Sequence, residues 1–168
     1  MTDSLQWMVL YTKPRSEKRA CELLEKQGFK IYLPCITTIK QWSDRKKKVT
    51  EPLFKSYLFI YCKRNQIEKA GRGEHIVGIV RFNGQAAIVR EEEIDAIRCI
   101  EAGTSKVAVV NKKLIIGQKI RIKQGKLQGL SGILTEYRGT QRVAIEIESL
   151  GCNLLIDIPA SSVEEILK

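Results

Sequence analysis

The chain has 168 residues, a net charge of +10 and 43% hydrophobic residues. This length and composition fit a folded protein of one or two small domains and exclude a disordered chain. No apolar run approaches the roughly 18 residues that span a bilayer, and no secretion signal opens the sequence. We therefore expect a cytoplasmic protein with no membrane partner.

The positive charge is unevenly distributed along the chain. Residues 1–90 carry 18 basic and 8 acidic side chains. Residues 91–103 carry one basic and five acidic side chains, and residues 104–168 carry ten basic and six acidic ones. A positive field of this size favours polyanions such as nucleic acid as partners. The excess that would attract them is therefore concentrated in the first 90 residues.

The first third of the chain predicts two strands joined by a helix. Trp7–Lys13 is an apolar and aromatic strand, and Phe29–Pro34 is a second one. Between them, apolar residues recur at helical spacing from an N-cap at Ser16 to a stop at Gly28. Residues 36–52 are polar and basic, which indicates either a long hairpin or a mobile loop.

The next segment predicts further strands and helices. Leu53–Cys62 is apolar on both faces, which is typical of a central strand in a sheet. A short helix at Asn65–Ala70 follows, and then a strand at Ile76–Phe82. Asn83-Gly84 predicts a tight hairpin turn, and a final helix begins at the acidic run Glu91–Glu93. This order predicts an α+β sandwich in which helices pack on a mostly antiparallel sheet.

The last third of the chain predicts only strands. We expect a linker at 104–115 and then four short strands separated by glycine-containing turns, at Lys119–Lys123, Gly132–Tyr137, Arg142–Glu148 and Asn153–Ile158. The alternation of apolar and polar residues in Arg142–Glu148 indicates one buried face. Fifty residues of short strands favour a small β-barrel.

Three sequence stretches resemble the NusG family of transcription factors. Trp7–Tyr11 with the following basic helix, and the stretch Glu51–Ile60, resemble the NusG N-terminal (NGN) domain. Gly117–Leu134 resembles a KOW motif opening an SH3-like barrel. Lys55-Ser56 stands where general NusG proteins usually have Pro-Gly, so the resemblance is greatest to specialised paralogues such as the UpxY group and RfaH.

This resemblance implies an NGN domain at 1–103, a linker at 104–115 and a KOW domain with an SH3-like barrel at 116–168. It implies a monomeric, non-enzymatic factor that binds the clamp helices of the largest subunit of bacterial RNA polymerase and the non-template DNA strand. Such a factor suppresses pausing and termination, at specific operons such as those for polysaccharide biosynthesis. The KOW domain would contact a ribosomal protein or the termination factor Rho.

The resemblance also implies two sets of binding residues. Aromatic side chains suit docking to helices because they combine large apolar area with few rotatable bonds; the expected polymerase-binding residues are Tyr11, Phe54, Phe59 and Phe82. Basic side chains neutralise phosphate, and arginine can also bind guanine; the expected DNA-binding residues are Lys13, Arg15, Lys18, Arg19 and Arg72. Either set could instead be ordinary core or surface residues.

Other interpretations of the sequence remain open. The basic run Arg45–Lys48 with Trp42 could contact DNA or polymerase, or could simply be a solubilising hairpin tip. The five widely spaced cysteines predict buried free thiols and no disulfide or metal site. His75 has no nucleophile signature near it, so we expect no catalytic residue, cofactor or metal. The functional alternatives are a KOW-type RNA- or ribosome-binding protein and a housekeeping NusG.

Overall fold

The structure is a computed structural model that describes residues 4–103, 106–110, 117–137 and 140–166. The chain divides into two compact units, one of Met1–Ile36 with Thr50–Ile94 and the other of Thr37–Val49 with Asp95–Lys168. Both are built mainly from antiparallel strands, with three α-helices among the described residues. The predicted α+β class is therefore confirmed.

The first unit contains a five-stranded antiparallel sheet. Strands β1 (Gln6–Thr12), β2 (Lys30–Tyr32), β5 (Tyr57–Cys62) and β6 (Ile76–Ile79) run in the order β2-β5-β1-β6, and β9 (Ile88–Val89) also pairs with β1. Strand β5 is an inner strand, as its apolar character on both faces predicts. Helices α1 (Glu17–Lys26) and α2 (Arg64–Gly71) belong to the same unit.

One face of this sheet forms the core beneath the helices. The core joins alternate sheet residues to the apolar faces of α1 and α2; it contains Met8, Leu10, Ala20, Leu24, Leu58, Ile60, Cys62, Ile67, Ala70 and Ile76. Because side chains alternate along a strand, the intervening residues of β1 and β5 lie on the opposite face. That opposite face is aromatic, with Trp7, Tyr57, Phe59 and Tyr61 upon it.

The predicted central strand is shorter than expected. Residues Leu53–Ser56 form a turn, and β5 begins only at Tyr57. Ser56 has a φ of +65°, which no residue in an extended strand adopts. Its N–H donates a hydrogen bond to a side chain of α1 instead of to a neighbouring strand. Apolar sequence alone could not reveal this turn, since Leu53 and Phe54 are as buried as strand residues.

The polar segment 36–52 is a hairpin and not an irregular loop. Strands β3 (Cys35–Gln41) and β4 (Lys46–Pro52) pair in a two-stranded sheet. A second small hairpin joins β7 (Arg81–Phe82) to β8 (Gln85–Ala86). Its turn residues Asn83 and Gly84 have φ values of +50° and +77°, so the predicted Asn-Gly turn is confirmed.

The second unit contains a six-stranded antiparallel sheet. Its strands are β10 (Val107–Val110), β11 (Gln118–Ile122), β12 (Ser131–Tyr137), β13 (Thr140–Ile147), β14 (Cys152–Ile156) and β15 (Val163–Glu165), in the order β10-β14-β13-β12-β11-β15. This order is an open path, and no closed barrel is found among the described strands. The SH3-like barrel, and with it the KOW assignment, stays a prediction.

Helix α3 (Glu91–Gly103) begins at the acidic run, as predicted, but the range after it is not a simple linker. Strand β10 lies within 104–115 and pairs with β14. Residues 104–105 and 111–116 lie outside the described part of the chain. The domain ranges 1–103 and 116–168 stay a prediction.

The five cysteines are free, as predicted, but they are not all buried. Cys62 and Cys152 are buried, Cys21 and Cys35 are partly exposed, and Cys99 on α3 is exposed. Burial raises the pKa of Cys62 to about 11, and burial together with nearby Glu25 raises that of Cys21 to about 11. The thiols of Cys21 and Cys62 are therefore protonated at neutral pH.

Candidate binding surfaces

The loop after β1 places the basic residues of α1. Backbone hydrogen bonds fix the end of β1 on both sides: the Thr12 N–H donates to the Ser56 carbonyl at 2.8 Å, and the Lys13 N–H donates to the His75 carbonyl at 2.9 Å. Arg15 then adopts a φ of +60°, which turns the chain into α1. Ser16 occupies the N-cap position, as predicted, although its side chain makes no capping hydrogen bond.

A buried carboxylate holds α1 against the turn that precedes β5. Glu17 lies in the first helical turn and is almost fully buried. Its Oε1 accepts a hydrogen bond from the Ser56 N–H at 2.8 Å. The position is favourable for an anion because the N-terminal end of a helix carries partial positive charge. This bond fixes the distance between the basic start of α1 and the segment before β5.

A basic pocket of about 800 Å³ lies between these two segments. We call it the basic pocket; it is lined by Pro14, Arg15, Glu17, Lys18, Arg19, Thr50, Glu51, Pro52, Lys55 and Ser56. Four of its side chains are cations and two are carboxylates, and the carboxylate of Glu17 is already occupied by the Ser56 N–H. The pocket therefore suits an anionic ligand that can also contact the apolar rings of Pro14 and Pro52.

The structure brings three of the five expected DNA-binding residues together in the basic pocket: Arg15, Lys18 and Arg19. Lys55 joins them, and sequence reasoning missed it as a binding residue. The only sequence signal was its positive charge, because the turn that brings it beside α1 is visible in the structure alone. Lys13 and Arg72 are exposed but do not line the pocket.

Arg72 lies at the C-terminal end of α2, where its N–H donates to the Lys69 carbonyl. The turn that follows leads to His75, whose carbonyl accepts the hydrogen bond from Lys13. The backbone of this turn is therefore tied to the end of β1. It places Lys13 beside the segment that carries Arg72.

The four expected polymerase-binding aromatics divide into two pairs by exposure. Tyr11 is 40% exposed and Phe82 is 65% exposed, whereas Phe54 is 4% exposed and Phe59 has no exposed surface. Phe54 and Phe59 contact each other edge to face, with ring centroids 5.8 Å apart. A partner cannot touch a side chain that has no exposed surface, so in this conformation Phe54 and Phe59 are core residues.

Tyr11 and Phe82 are each held by defined local contacts. The ring of Tyr11 packs edge to face on Tyr57, its cross-strand neighbour, at 5.5 Å between centroids. Phe82 stands beside the tight turn of the β7–β8 hairpin. Arg81 braces that hairpin by donating hydrogen bonds to the Gly84 carbonyl and to Glu68, the latter at 2.6 Å. Both aromatics are thus presented on ordered backbone.

The acidic start of α3 serves the fold. Glu93 is buried and accepts a hydrogen bond from the Arg90 N–H at 2.9 Å, which caps the N-terminal end of the helix. Glu91 accepts a hydrogen bond from the indole Nε1–H of Trp7, also at 2.9 Å. These two carboxylates therefore have partners within the first unit.

In the second unit, the loop between β11 and β12 carries Lys126 and Leu127. Lys126 is exposed, whereas Leu127 is buried. Gly103 lies so close to Leu127 that a Cβ there would come within 2.7 Å of the leucine Cδ2. The apolar side chain of this loop is therefore packed inside the unit, and Lys126 is the member of the pair that a partner can reach.

Comparison with known proteins relates the chain to one family. A family model described as transcription termination factor nusG matches residues 5–98. Among solved structures, one described as domain interaction in Thermotoga maritima NusG matches over 98% of this chain and 98% of that chain, with 20% sequence identity and a TM-score of 0.58. A crystal structure of the MjSpt4:Spt5 complex matches 96% of this chain and 99% of that chain, with 16% identity and a TM-score of 0.34. The NusG structure supports the fold, and the Spt4:Spt5 match is too weak to support an argument.

Proposed function

The chain belongs to the NusG family of transcription elongation factors, and from this we propose that it is a non-enzymatic elongation and antitermination factor of bacterial RNA polymerase. The observation that carries the proposal is the family match over residues 5–98, which includes all five strands of the first unit's main sheet. The same residues carry the strongly basic part of the chain. We expect the protein to act as a monomer in the cytoplasm.

Polymerase docking would use the exposed aromatics Tyr11 and Phe82. Helix-on-sheet docking gains most from large apolar side chains that lose little rotamer entropy. Both residues offer such area, and both stand on backbone that is braced by hydrogen bonds or pairing. Phe59 lies on the same face of the sheet as Tyr11 and packs on Phe54, so these two buried rings would support the face that carries Tyr11. The partner would be the clamp helices of the largest subunit, as the resemblance implies.

DNA binding would use the basic pocket together with Lys13 and Arg72. The four cations of the pocket can neutralise phosphates, and Arg15 and Arg19 can also bind a guanine edge. The apolar rings of Pro14 and Pro52 give a nucleotide something to pack against. We propose the non-template strand as the ligand, because its bases are unpaired in a transcribing complex and can enter a pocket.

Operon-specific antitermination is the finer part of the proposal. Lys55-Ser56 replaces the Pro-Gly that general NusG proteins usually have, and Lys55 lines the basic pocket. A lysine at this point adds a DNA contact that a proline could not make. We therefore propose a specialised factor of the UpxY type that acts at operons such as those for polysaccharide biosynthesis. A ribosomal protein or Rho would be the partner of the KOW domain.

The first experiment is capture of purified bacterial RNA polymerase, both as core enzyme and as an assembled elongation complex. We expect the wild type to bind and Tyr11→Ala/Phe82→Ala to lose most of the binding. The control Leu5→Ala/Ile39→Ala removes two other exposed apolar side chains and should bind normally. Thermal unfolding would verify that both variants are folded. If the wild type binds neither the core enzyme nor the elongation complex, the proposal is contradicted and an RNA-binding KOW protein is favoured.

The second experiment measures pausing by the same polymerase on a polysaccharide operon leader and on an unrelated template. A specialised factor suppresses pausing on the leader alone, whereas a housekeeping NusG acts on both templates. Arg15→Gln/Lys18→Gln/Arg19→Gln should abolish the leader effect but keep polymerase capture. If this variant suppresses pausing as the wild type does, the basic pocket is not the DNA site.

A further inference from the structure

The β3–β4 hairpin carries a second, separate concentration of positive charge. Its residues 37–49, here called the basic hairpin, include five cations and one anion; the cations are Lys40, Arg45, Lys46, Lys47 and Lys48. All five are exposed. We propose that the basic hairpin binds the phosphate backbone of double-stranded DNA, independently of the basic pocket.

The local charge density supports a polyanion as the partner. Thirteen residues carry a net charge of +4, although the whole chain of 168 residues carries +10. Such a concentration costs free energy through mutual repulsion, and an anionic backbone relieves it while releasing counterions. Protein interfaces are depleted in lysine at their centres. A lysine-rich tip is therefore better matched to nucleic acid than to another protein.

The hairpin also has a suitable shape for a duplex. A two-stranded β-ribbon fits the major groove of B-DNA, which is about 12 Å wide. Side chains alternate along β4, so Lys46 and Lys48 project from one face of the ribbon and Lys47 from the other. A ribbon in a groove has a sugar–phosphate wall beside each of its edges. Lysine side chains are long and flexible, so those at the exposed tip can extend past the edges to the phosphates.

The one exposed aromatic of the described hairpin favours a duplex over a single strand. Trp42 is 49% exposed, and single-strand binding surfaces usually offer such rings for base stacking. Here Lys47 Nζ lies over the ring, 5.3 Å from its centroid. That face of the indole is thus occupied by a cation–π contact. Trp42 acts as a positioning residue for Lys47.

The turn of the hairpin keeps these groups in place. The Trp42 N–H donates a hydrogen bond to the Arg45 carbonyl at 2.8 Å, which closes the loop between the two strands. Because the turn is closed, Trp42 and the start of the lysine run stay adjacent. The cations are therefore presented on a defined ribbon and do not belong to a freely moving tail.

The test measures binding of the full chain, without polymerase, to a fluorescent 30-base-pair duplex of mixed sequence between 50 and 200 mM salt. Each phosphate contact contributes about 0.9 to the slope of log Kobs against log salt concentration for B-DNA. Lys46→Gln/Lys47→Gln/Lys48→Gln should therefore lower that slope by about 2.7 units. The control Lys26→Gln/Lys69→Gln/Lys119→Gln removes the same charge from scattered exposed positions and should change it by less than about 1.

Three outcomes would overturn the proposal. Equal slope changes in both triple variants would mean that only net charge matters. An equal loss of binding to a single strand of the same length would contradict the duplex assignment. An unchanged duplex slope combined with lost polymerase capture would identify a protein surface as the partner. The first two results are obtained without polymerase and do not depend on whether Tyr11 and Phe82 dock it, so the two proposals can fail separately.

A spectroscopic measurement adds an independent readout. The chain has two tryptophans, of which Trp7 is buried and Trp42 is half exposed. Acrylamide should therefore quench mainly Trp42, and saturating duplex should reduce that quenching in the wild type. Trp42→Phe should remove most of the quenchable signal and confirm its origin. Quenching that stays constant as the duplex saturates the protein would contradict contact at the hairpin.

Discussion

Two residues, Ser56 just before β5 and Glu17 in the first turn of α1, determine how α1 meets the sheet. Ser56 adopts a left-handed backbone conformation, and its N–H is held by the buried carboxylate of Glu17. A side chain in this conformation costs about 1–2 kcal/mol, whereas glycine adopts it without that cost. The hydrogen bond offsets part of the cost. The basic pocket depends on both features, since Ser56 and Glu17 line it.

Replacing Ser56 with glycine should stabilise the protein. Glycine removes the backbone strain and keeps the N–H that donates to Glu17, and the gain is reduced by the greater freedom of glycine in the unfolded chain. We expect Ser56→Gly to raise the free energy of unfolding by about 0.5–1 kcal/mol in urea titrations. Ser56→Ala, which keeps the strain, should stay within about 0.5 kcal/mol of the wild type. If Ser56→Ala stabilises the protein and Ser56→Gly destabilises it, the backbone of Ser56 is not strained.

Removing the Glu17 carboxylate should destabilise the protein. Glu17→Ala leaves the buried Ser56 N–H without its acceptor, at a cost of about 1–3 kcal/mol in the free energy of unfolding. Glu22→Ala changes an exposed carboxylate on the same helix and should cost less than about 0.5 kcal/mol. Urea unfolding followed by circular dichroism measures both. Equal effects of the two substitutions would mean that the Glu17 contact contributes nothing specific.

At the scale of single elements, aromatic residues on the sheet strands and on the small hairpins differ in burial. Phe59 lies on the inner strand β5 and is wholly buried, whereas Phe82 lies on a two-residue strand and is mostly exposed. The sequence presents both as apolar strand residues that bind a partner. Only the paired structure separates a residue buried within the sheet from one that is exposed on a hairpin.

This difference predicts opposite behaviour of two alanine substitutions. Phe59→Ala should lower the free energy of unfolding by about 3–5 kcal/mol, because it leaves a cavity in the packed aromatic face. Phe82→Ala should change it by less than about 0.5 kcal/mol while weakening polymerase capture. Urea unfolding and the capture assay, applied to both variants, give the comparison. A large loss of stability for Phe82→Ala would mean that its role is structural.

The elements differ in how far the sequence could predict them. The Asn83-Gly84 turn and the inner position of β5 follow from local rules, because turn geometry needs those residues and burial on both faces needs apolar ones. The turn at Leu53–Ser56 does not follow from local rules, because the features that reveal it are a backbone angle and a hydrogen bond to a residue 39 positions away. Lys55 was missed as a pocket residue for the same reason.

At the scale of the whole molecule, burial of thiols couples stability to pH. The pKa of Cys62 rises on folding from 9.0 to about 11, because burial disfavours the thiolate. The folded state therefore binds the proton more tightly than the unfolded state. This contribution to stability is complete below pH 9 and is lost as the pH rises towards 11.

Comparison of the wild type with Cys62→Ala isolates this effect from other groups that titrate at high pH. The difference in their free energies of unfolding should be constant from pH 7 to 9 and should shrink between pH 9 and 11. Cys99→Ala removes an exposed thiol and serves as the control. Urea titrations at each pH provide the values. A difference that stays constant to pH 11 would contradict the raised pKa.

Family membership and fold class could be predicted from the sequence because they depend on patterns spread over many residues. The difference in exposure among Tyr11, Phe54, Phe59 and Phe82 could not be predicted, because alternation along β1 and β5 places aromatics on one face without indicating how much of that face is covered. Strand β10 was also missed. Its sequence Val-Ala-Val-Val is strand-like, but its partner β14 lies more than forty residues away.

The closed turn of the β3–β4 hairpin also determines where the native chain is open to proteolysis. Exposed loop tips are preferred sites of nicking, and this tip presents Arg45 followed by three lysines, which are all targets for trypsin. Brief digestion should therefore cut first at the tip, to give pieces of 45 residues or slightly more and about 120 residues. The core of the first unit lies on other strands and would survive such a cut. A ligand seated on the hairpin would protect these bonds, so the rate of the first cleavage reports its occupancy.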